Sequence, residues 1–172
     1  MQATQPLNDL LTRRWSPREY DPKPIEPAIL HSLFDAAHSA FSCFNEQPWH
    51  FIVVQDHDTL RQLGALARTG GYTADAPAAI VVVTEPSRFA VSDASRAIQS
   101  MALAAWSEGV ASGWAGFGGL EALKPVLGIP DTLDVFAIVP LGYPDQAVGQ
   151  GKKNRKPLAD VAHRERFGTP FS

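Results

Sequence analysis

Three arginines, Arg13, Arg14 and Arg18, fall within six residues of RRWSPREY (13–20), and a second basic stretch, KKNRK (152–156), lies near the far end of the chain. Segments 13–18 and 152–156 contain no acid, so the remainder carries 8 basic against 18 acidic residues, net −10, in a chain of net charge −3. Like charges this close repel, and two short basic foci on an acidic body suit a small anionic ligand better than a nucleic acid, which needs a broad basic face. The alternative is two unrelated solvated runs.

A second stretch with chemical potential is FNEQPWHF (44–51). Asn45, Glu46 and Gln47 sit in a loop just before an apolar run, and Pro48 stiffens the entry. Amides at a strand end present donors and acceptors at fixed geometry, which suits a flat heterocycle; they serve equally to satisfy the loop's own backbone. Cys43 is the sole cysteine, so no intrachain disulfide forms. With no evident activating histidine it reads as a small packing residue. His31, His38, His50, His57 and His163 form no pair at metal-ligand spacing with a carboxylate, and no metal site is expected. GFGG (116–119) precedes a helix but lacks the full G-x-G-x-x-G and a preceding strand, so a Rossmann reading is rejected.

These residues need elements to position them. A length of 172 residues suggests one domain, 1–172, with a sizeable core. Leu7, Leu10 and Leu11 predict a short helix over 5–13, and four prolines keep 16–27 extended or looped. EPAILHSLFDAAHSAF predicts a helix with Pro27 in its first turn. WHFIVVQ (49–55) reads as a central strand, 58–68 as a helix and AAIVVVT (78–84) as a buried strand. The longest helix is expected over 92–113, capped by Ser92 or Asp93 and ended by Gly109 and Gly113. Its wide apolar face and many alanines imply burial on more than one side. A shorter helix (120–128), a third strand (135–144) and a polar, basic tail follow. The whole reads as a layered α+β sandwich. The N-terminal MQATQPLNDLLTRRW has no apolar core of signal-peptide length, and no stretch approaches a membrane span, so a soluble cytoplasmic protein is expected.

The ordered set RRWSPREY (13–20), AAHSAFSCFNEQPWHFIVV (36–54), DAPAAIVVV (75–83), DASRAIQSMALAAWSEGVASGWAGF (93–117), LGIP (127–130), VPLGYP (139–144) and KKNRKPL (152–158) resembles the FMN-dependent nitroreductase family and covers most of the chain. The resemblance implies a nitroreductase-like α/β sandwich around a mixed, mostly antiparallel sheet flanked by helices. It also implies an intertwined homodimer with two FMN sites at the interface, the helix 92–113 packing on its twin and a C-terminal extension reaching over the partner. Arg14 and Ser16 then match the Arg-x-Ser positions that hold the flavin phosphate and ribityl chain, with Trp15 packing between them. Arg18 matches the basic residue near flavin N1 and O2, where a fixed cation favours the anionic reduced ring. Lys153 and Arg155 match the pair that closes on the phosphate. Ser42, Cys43 and Asn45 match the loop that reaches the partner's flavin, and Trp114, Ala115 and Gly116 the segment whose backbone lies along the ring near N5 and O4.

The activity implied is a ping-pong NAD(P)H oxidoreductase. Hydride passes from NADH or NADPH to flavin N5 and on to a small electrophile such as a nitroaromatic, quinone or enone. No side-chain acid or base is required, and no nucleic acid or membrane is involved. The alternative is a non-catalytic flavin-binding or flavin-sequestering protein of the same fold. Three departures stand out. Phe41 occupies a position where the family often has proline. The loop TGGY, near Gly71, lacks the asparagine of many relatives and its contact to the flavin pyrimidine. Residues 75–92 lack the helical excursion that covers the pocket in larger members, which implies a more open site.

Overall fold

The computed structural model describes residues 7–116, 119–144 and 153–171. Residues 5–6 of the first expected helix, Phe117 and Gly118 of GFGG, and Lys152 lie outside the described residues. The elements run α1 (Leu7–Arg13), β1 (Tyr20–Asp21), α2 (Pro27–His38), β2 (Trp49–Val54), α3 (His57–Leu66), β3 (Ala78–Thr84), α4 (Ala90–Ser107), β4 (Ala111–Ser112), α5 (Lys124–Leu127) and β5 (Asp134–Pro144). Short 3₁₀ turns occupy Cys43–Asn45, Gly71–Asp75, Leu120–Leu123 and Leu158–Asp160. The expected α+β sandwich is borne out.

The sheet has the order β1-β5-β3-β2, with β4 also on β5, and every pairing among the described residues is antiparallel. Side chains alternate across a strand, so β3 divides its own sequence between two layers. Ala78, Ile80 and Val82 join Leu30, Leu33 and Ala37 of α2 and Ala94, Ala97, Ile98 and Met101 of α4. Ala79, Val81 and Val83 join Leu60 and Leu63 of α3, Leu120 and Leu123. All seven β3 residues are buried, which accounts for its uninterrupted apolar run. At about 25 cal/mol per Å² of apolar surface removed from water, such two-sided burial is the dominant stabilising term.

Two expectations are corrected. β2 was expected at the sheet centre, but among the described residues it pairs only with β3 and lies at an edge, with His50 and Val53 exposed. Its apolar run reflects cover on both faces, Trp49 joining one core and Val54 the other, and two covered faces do not require two neighbouring strands. The long helix stops at Ser107, not 113, and begins at Ala90 with Phe89 in the N-cap position. Gly109 (φ +76°) adopts the left-handed conformation. The bonds Gly109 N–H to Trp106 C=O (3.2 Å) and Val110 N–H to Ala105 C=O (2.9 Å) close a Schellman cap. The chain then turns back as β4, so 111–113 are no longer helix. Asp93 does not cap α4: its buried carboxylate accepts from the Cys43 amide (3.0 Å) and pairs with Arg96 (2.5 Å).

β5 carries a bulge that re-aims one aromatic ring. Val82 pairs with Ala137 and Val83 with Val135, leaving Phe136 as the extra residue. Its ring meets Trp114 edge-on at 5.6 Å between centroids. Among the described residues no helix is long and apolar enough to cross a membrane.

Candidate functional site

The break after α1 follows from its sequence. The Arg14 amide still bonds the Leu10 carbonyl (3.2 Å), then Trp15, Ser16 and buried Pro17 carry the chain extended into β1. This exit leaves Arg14 beside the C-terminal end of α1. From the other end of the chain Lys153 arrives and donates from Nζ to the Leu11 carbonyl (2.8 Å), a contact across 142 positions. Leu11, Thr12, Arg14, Gln99, Lys153 and Arg155 line one open groove of about 450 Å³. Its lining contains three cations and no acid. Partial burial holds the Lys153 ammonium below the ordinary lysine range, and repulsion from Arg14 and Arg155 lowers it further.

Within RRWSPREY the arginines diverge. Arg14 donates from Nη1 to Ser16 Oγ (3.3 Å), which sets the Ser16 hydroxyl beside this groove-lining arginine. Trp15 keeps its Nε1 buried and without a hydrogen-bond partner among the described residues. Arg13 is exposed. Arg18 turns away from the groove: Nη1 donates to the Ser16 and Pro17 carbonyls (3.1 Å each), and the guanidinium lies 4.4 Å from the centroid of the Tyr72 ring. Among the described residues no carboxylate pairs with Arg18.

The 114–116 segment runs beside β5. Both the amide and the carbonyl of Ala115 are engaged by Ile138 (2.8 and 3.0 Å), and the Trp114 carbonyl accepts from Tyr72 Oη (3.0 Å). Ala115 is fully buried, and Gly116 has φ +94°. The segment's shape is therefore rigidly set, while Ala115 has its hydrogen-bonding groups spent on the sheet.

Ser42, Cys43 and Asn45 stand apart from this chain's own Arg14 groove. Ser42 Oγ accepts from the Gln47 amide (3.2 Å), Cys43 is held by Asp93, and the Asn45 carbonyl accepts from Gln47 Nε2 (3.1 Å). Phe44, Asn45 and Gln47 have φ of 52°, 58° and 52°, a concentration of left-handed non-glycine residues that side-chain sterics disfavour by about 1–2 kcal/mol each. The turn displays Phe41 and Phe44 outward, 87% and 85% exposed. Phe41 lines a neighbouring groove of about 430 Å³ with Ser39, Ala40, Ser95, Arg96 and Ser100; Gln99 belongs to both grooves.

Sequence reasoning missed Gln99 and Tyr72. Gln99 is a polar residue on the longest helix, where nothing local distinguishes it. Tyr72 was available as the aromatic that follows Gly70 and Gly71, but only the fold brings it to Arg18.

The groove's residues fit a flavin mononucleotide. Three cations with a serine hydroxyl and no acid are a donor set for a phosphate dianion, which wants several charge-assisted bonds. Arg18, with which no carboxylate pairs among the described residues, and the 114–116 segment both contact Tyr72. Among the described residues no group of three or more His, Cys, Asp or Glu side chains is placed to hold a metal ion.

The Nitroreductase family profile matches residues 11–87 and 71–143. A protein of Archaeoglobus fulgidus with the provisional name NADH dehydrogenase/NAD(P)H nitroreductase is 36% identical over 171 residues, covering 94% of this chain and 98% of its own. Among solved structures, an FMN-dependent nitroreductase from Clostridium difficile superposes with a TM-score of 0.86 at 25% identity, over 94% of this chain and all of the other. An oxidoreductase containing FMN superposes with a TM-score of 0.79 at 29% identity, over 98% and 96%.

Proposed function

The chain belongs to the nitroreductase family, and from that membership we propose an FMN-dependent NAD(P)H oxidoreductase that acts as a homodimer and reduces small electrophiles, such as nitroaromatics, quinones or enones, by a ping-pong cycle. The observation that carries this reading is the convergence of Arg14, Lys153 and Arg155 on one groove without an acid. A folded chain that gathers three like charges, and weakens the proton affinity of one of them, stores repulsion that a bound dianion removes.

When bound, the flavin supplies an atom that takes up a hydride from a nicotinamide and yields it to an acceptor. Arg14, Lys153 and Arg155 hold the phosphate, with Ser16 toward the ribityl chain and Trp15 packed between. Arg18 places positive charge at the pyrimidine edge, where negative charge grows on reduction; a preorganised cation there favours the reduced state. Trp114, Ala115 and Gly116 fix the wall along the ring. Ser42, Cys43 and Asn45 complete the site from the partner, which agrees with their separation from this chain's own groove. In the proposed dimer, Phe41 and Phe44, 87% and 85% exposed on the same turn, are the apolar side chains that the second copy covers.

The test is optical. The protein should purify yellow or turn yellow with FMN, bleach under anaerobic NADH or NADPH, and recover colour with an acceptor. A protein that takes up no FMN overturns the reading. A yellow protein that neither nucleotide bleaches is a flavin binder, not an enzyme.

A further inference from the structure

We propose that Tyr72 is a positioning residue for Arg18, and that it ties Arg18 to the 114–116 segment so that the charge and the wall of the ring site are set by one side chain. The inference rests on the proposed flavin chemistry for its consequence, but the contact itself stands on geometry. The Tyr72 ring carries the Arg18 guanidinium on its face at 4.4 Å, and the same residue's hydroxyl donates to the Trp114 carbonyl at 3.0 Å. One side chain thus spans the cation and the wall.

Two glycines hold Tyr72 there. A Cβ at Gly113 would stand 2.9 Å from Tyr72 Cε2 and 3.2 Å from its hydroxyl, so only a residue without a side chain lets the ring lie against β4's exit. A Cβ at Gly70 would meet the Ala115 Cβ at 2.6 Å, so the turn that carries Tyr72 is pressed onto the wall segment itself. Ring, turn and wall are therefore closely packed against one another.

The choice of partners has a chemical consequence. Arg18 is long, rotamer-rich and exposed, and needs restraint to act as a fixed charge. A carboxylate would restrain it but neutralise it. Two backbone carbonyls and an aromatic face restrain it and leave the full positive charge to act on a ligand. Burial raises the Tyr72 phenol above its ordinary range against the opposing pull of Arg18, so the partner stays neutral.

The test separates the contact from its consequence. In apoprotein, the Arg18 side-chain protons should show an upfield ring-current shift by NMR in wild type and in Tyr72→Phe, and lose it in Tyr72→Leu. Gly113→Ala, which removes no atom of either residue, should lose most of it too. In FMN-loaded protein, Tyr72→Leu should slow anaerobic flavin reduction about tenfold and lower the flavin midpoint potential. It should have no further effect in an Arg18→Ala background, because coupled residues are not additive. Tyr72→Phe, which keeps the ring face but loses the bond to the Trp114 carbonyl, should restore only part of the loss. An Arg18 shift unchanged in Tyr72→Leu overturns the positioning contact whether or not flavin binds. A full additive effect of Tyr72→Leu on Arg18→Ala overturns the assigned role. Failure of the apoprotein to take up FMN instead overturns the flavin function and leaves the NMR outcome to decide the contact.

Discussion

Two lysine ammonium groups face opposite surroundings in this molecule. Lys124, in the last turn before the LGIP corner, brings its acids: Nζ sits 2.6 Å from Glu121 Oε2 and donates to the Asp131 carbonyl at 3.3 Å. Its proton is held above the ordinary lysine range, first by the Glu121 hydrogen bond, with Glu121, Asp134 and Asp131 outweighing burial. Lys153 brings more cations. One backbone carbonyl receives it, and burial, Arg14 and Arg155 push its proton affinity down. A structural cation is neutralised by its own chain. Among the described residues Lys153 is left with its charge unmet by any acid, which is what the proposed anion site requires.

The contrast has three consequences, the largest at the groove. Lys153→Ala with Arg155→Ala removes two charge-assisted donors, each worth about 1.5–3 kcal/mol where water is excluded. Screening in an open groove keeps the sum near about 3 kcal/mol, so FMN should bind roughly 100-fold more weakly by titration of the apoprotein. Equal flavin occupancy in variant and wild type sinks the shared anion site. Lys124→Met should behave oppositely, leaving FMN affinity within about twofold while Tm falls by several degrees. Its pH dependence follows from the raised proton affinity. The stabilisation is fully present below the ordinary lysine value, near 10.4, and is lost as pH rises through the higher folded value. Wild type should thus lose Tm above that point faster than Lys124→Met; parallel melting curves there would remove the structural assignment. The smallest effect is on the apoprotein. Inorganic phosphate at about ten times its Kd should stabilise it by about 1.4 kcal/mol, a few degrees in Tm, and do nothing for the Lys153/Arg155 double variant. A rise of equal size in both would mean that phosphate acts elsewhere.

Much of the fold was legible where burial and period agree. The run AAIVVVT is covered on both faces and became β3 over the expected residues. Asp56 caps α3 by accepting from the Thr59 amide and hydroxyl (2.9 and 2.7 Å), close to where the apolar period begins. Legibility failed where a local signal has two readings. WHFIVV is equally apolar at a sheet centre or at a doubly covered edge. Gly109 and Gly113 both look like helix ends, yet one terminates α4 and the other makes room for a tyrosine.

By itself the sequence determined the candidates for the proposed site and the chain's family: two acid-free basic stretches, an amide-bearing turn and an ordered set of motifs. These are properties of residues and their neighbours along the chain, and hydrophobic period and charge count suffice to read them. Tertiary structure alone decided which cations share a groove and which stands apart. The extended exit from α1 separates Arg14 from Arg18, the return of the tail joins Lys153 to Leu11, and the closeness of Gly70 and Gly113 to the wall segment gives Arg18 a tyrosine instead of an acid. Charge pairing depends on distances of a few ångströms between residues far apart in sequence, and only packing sets those.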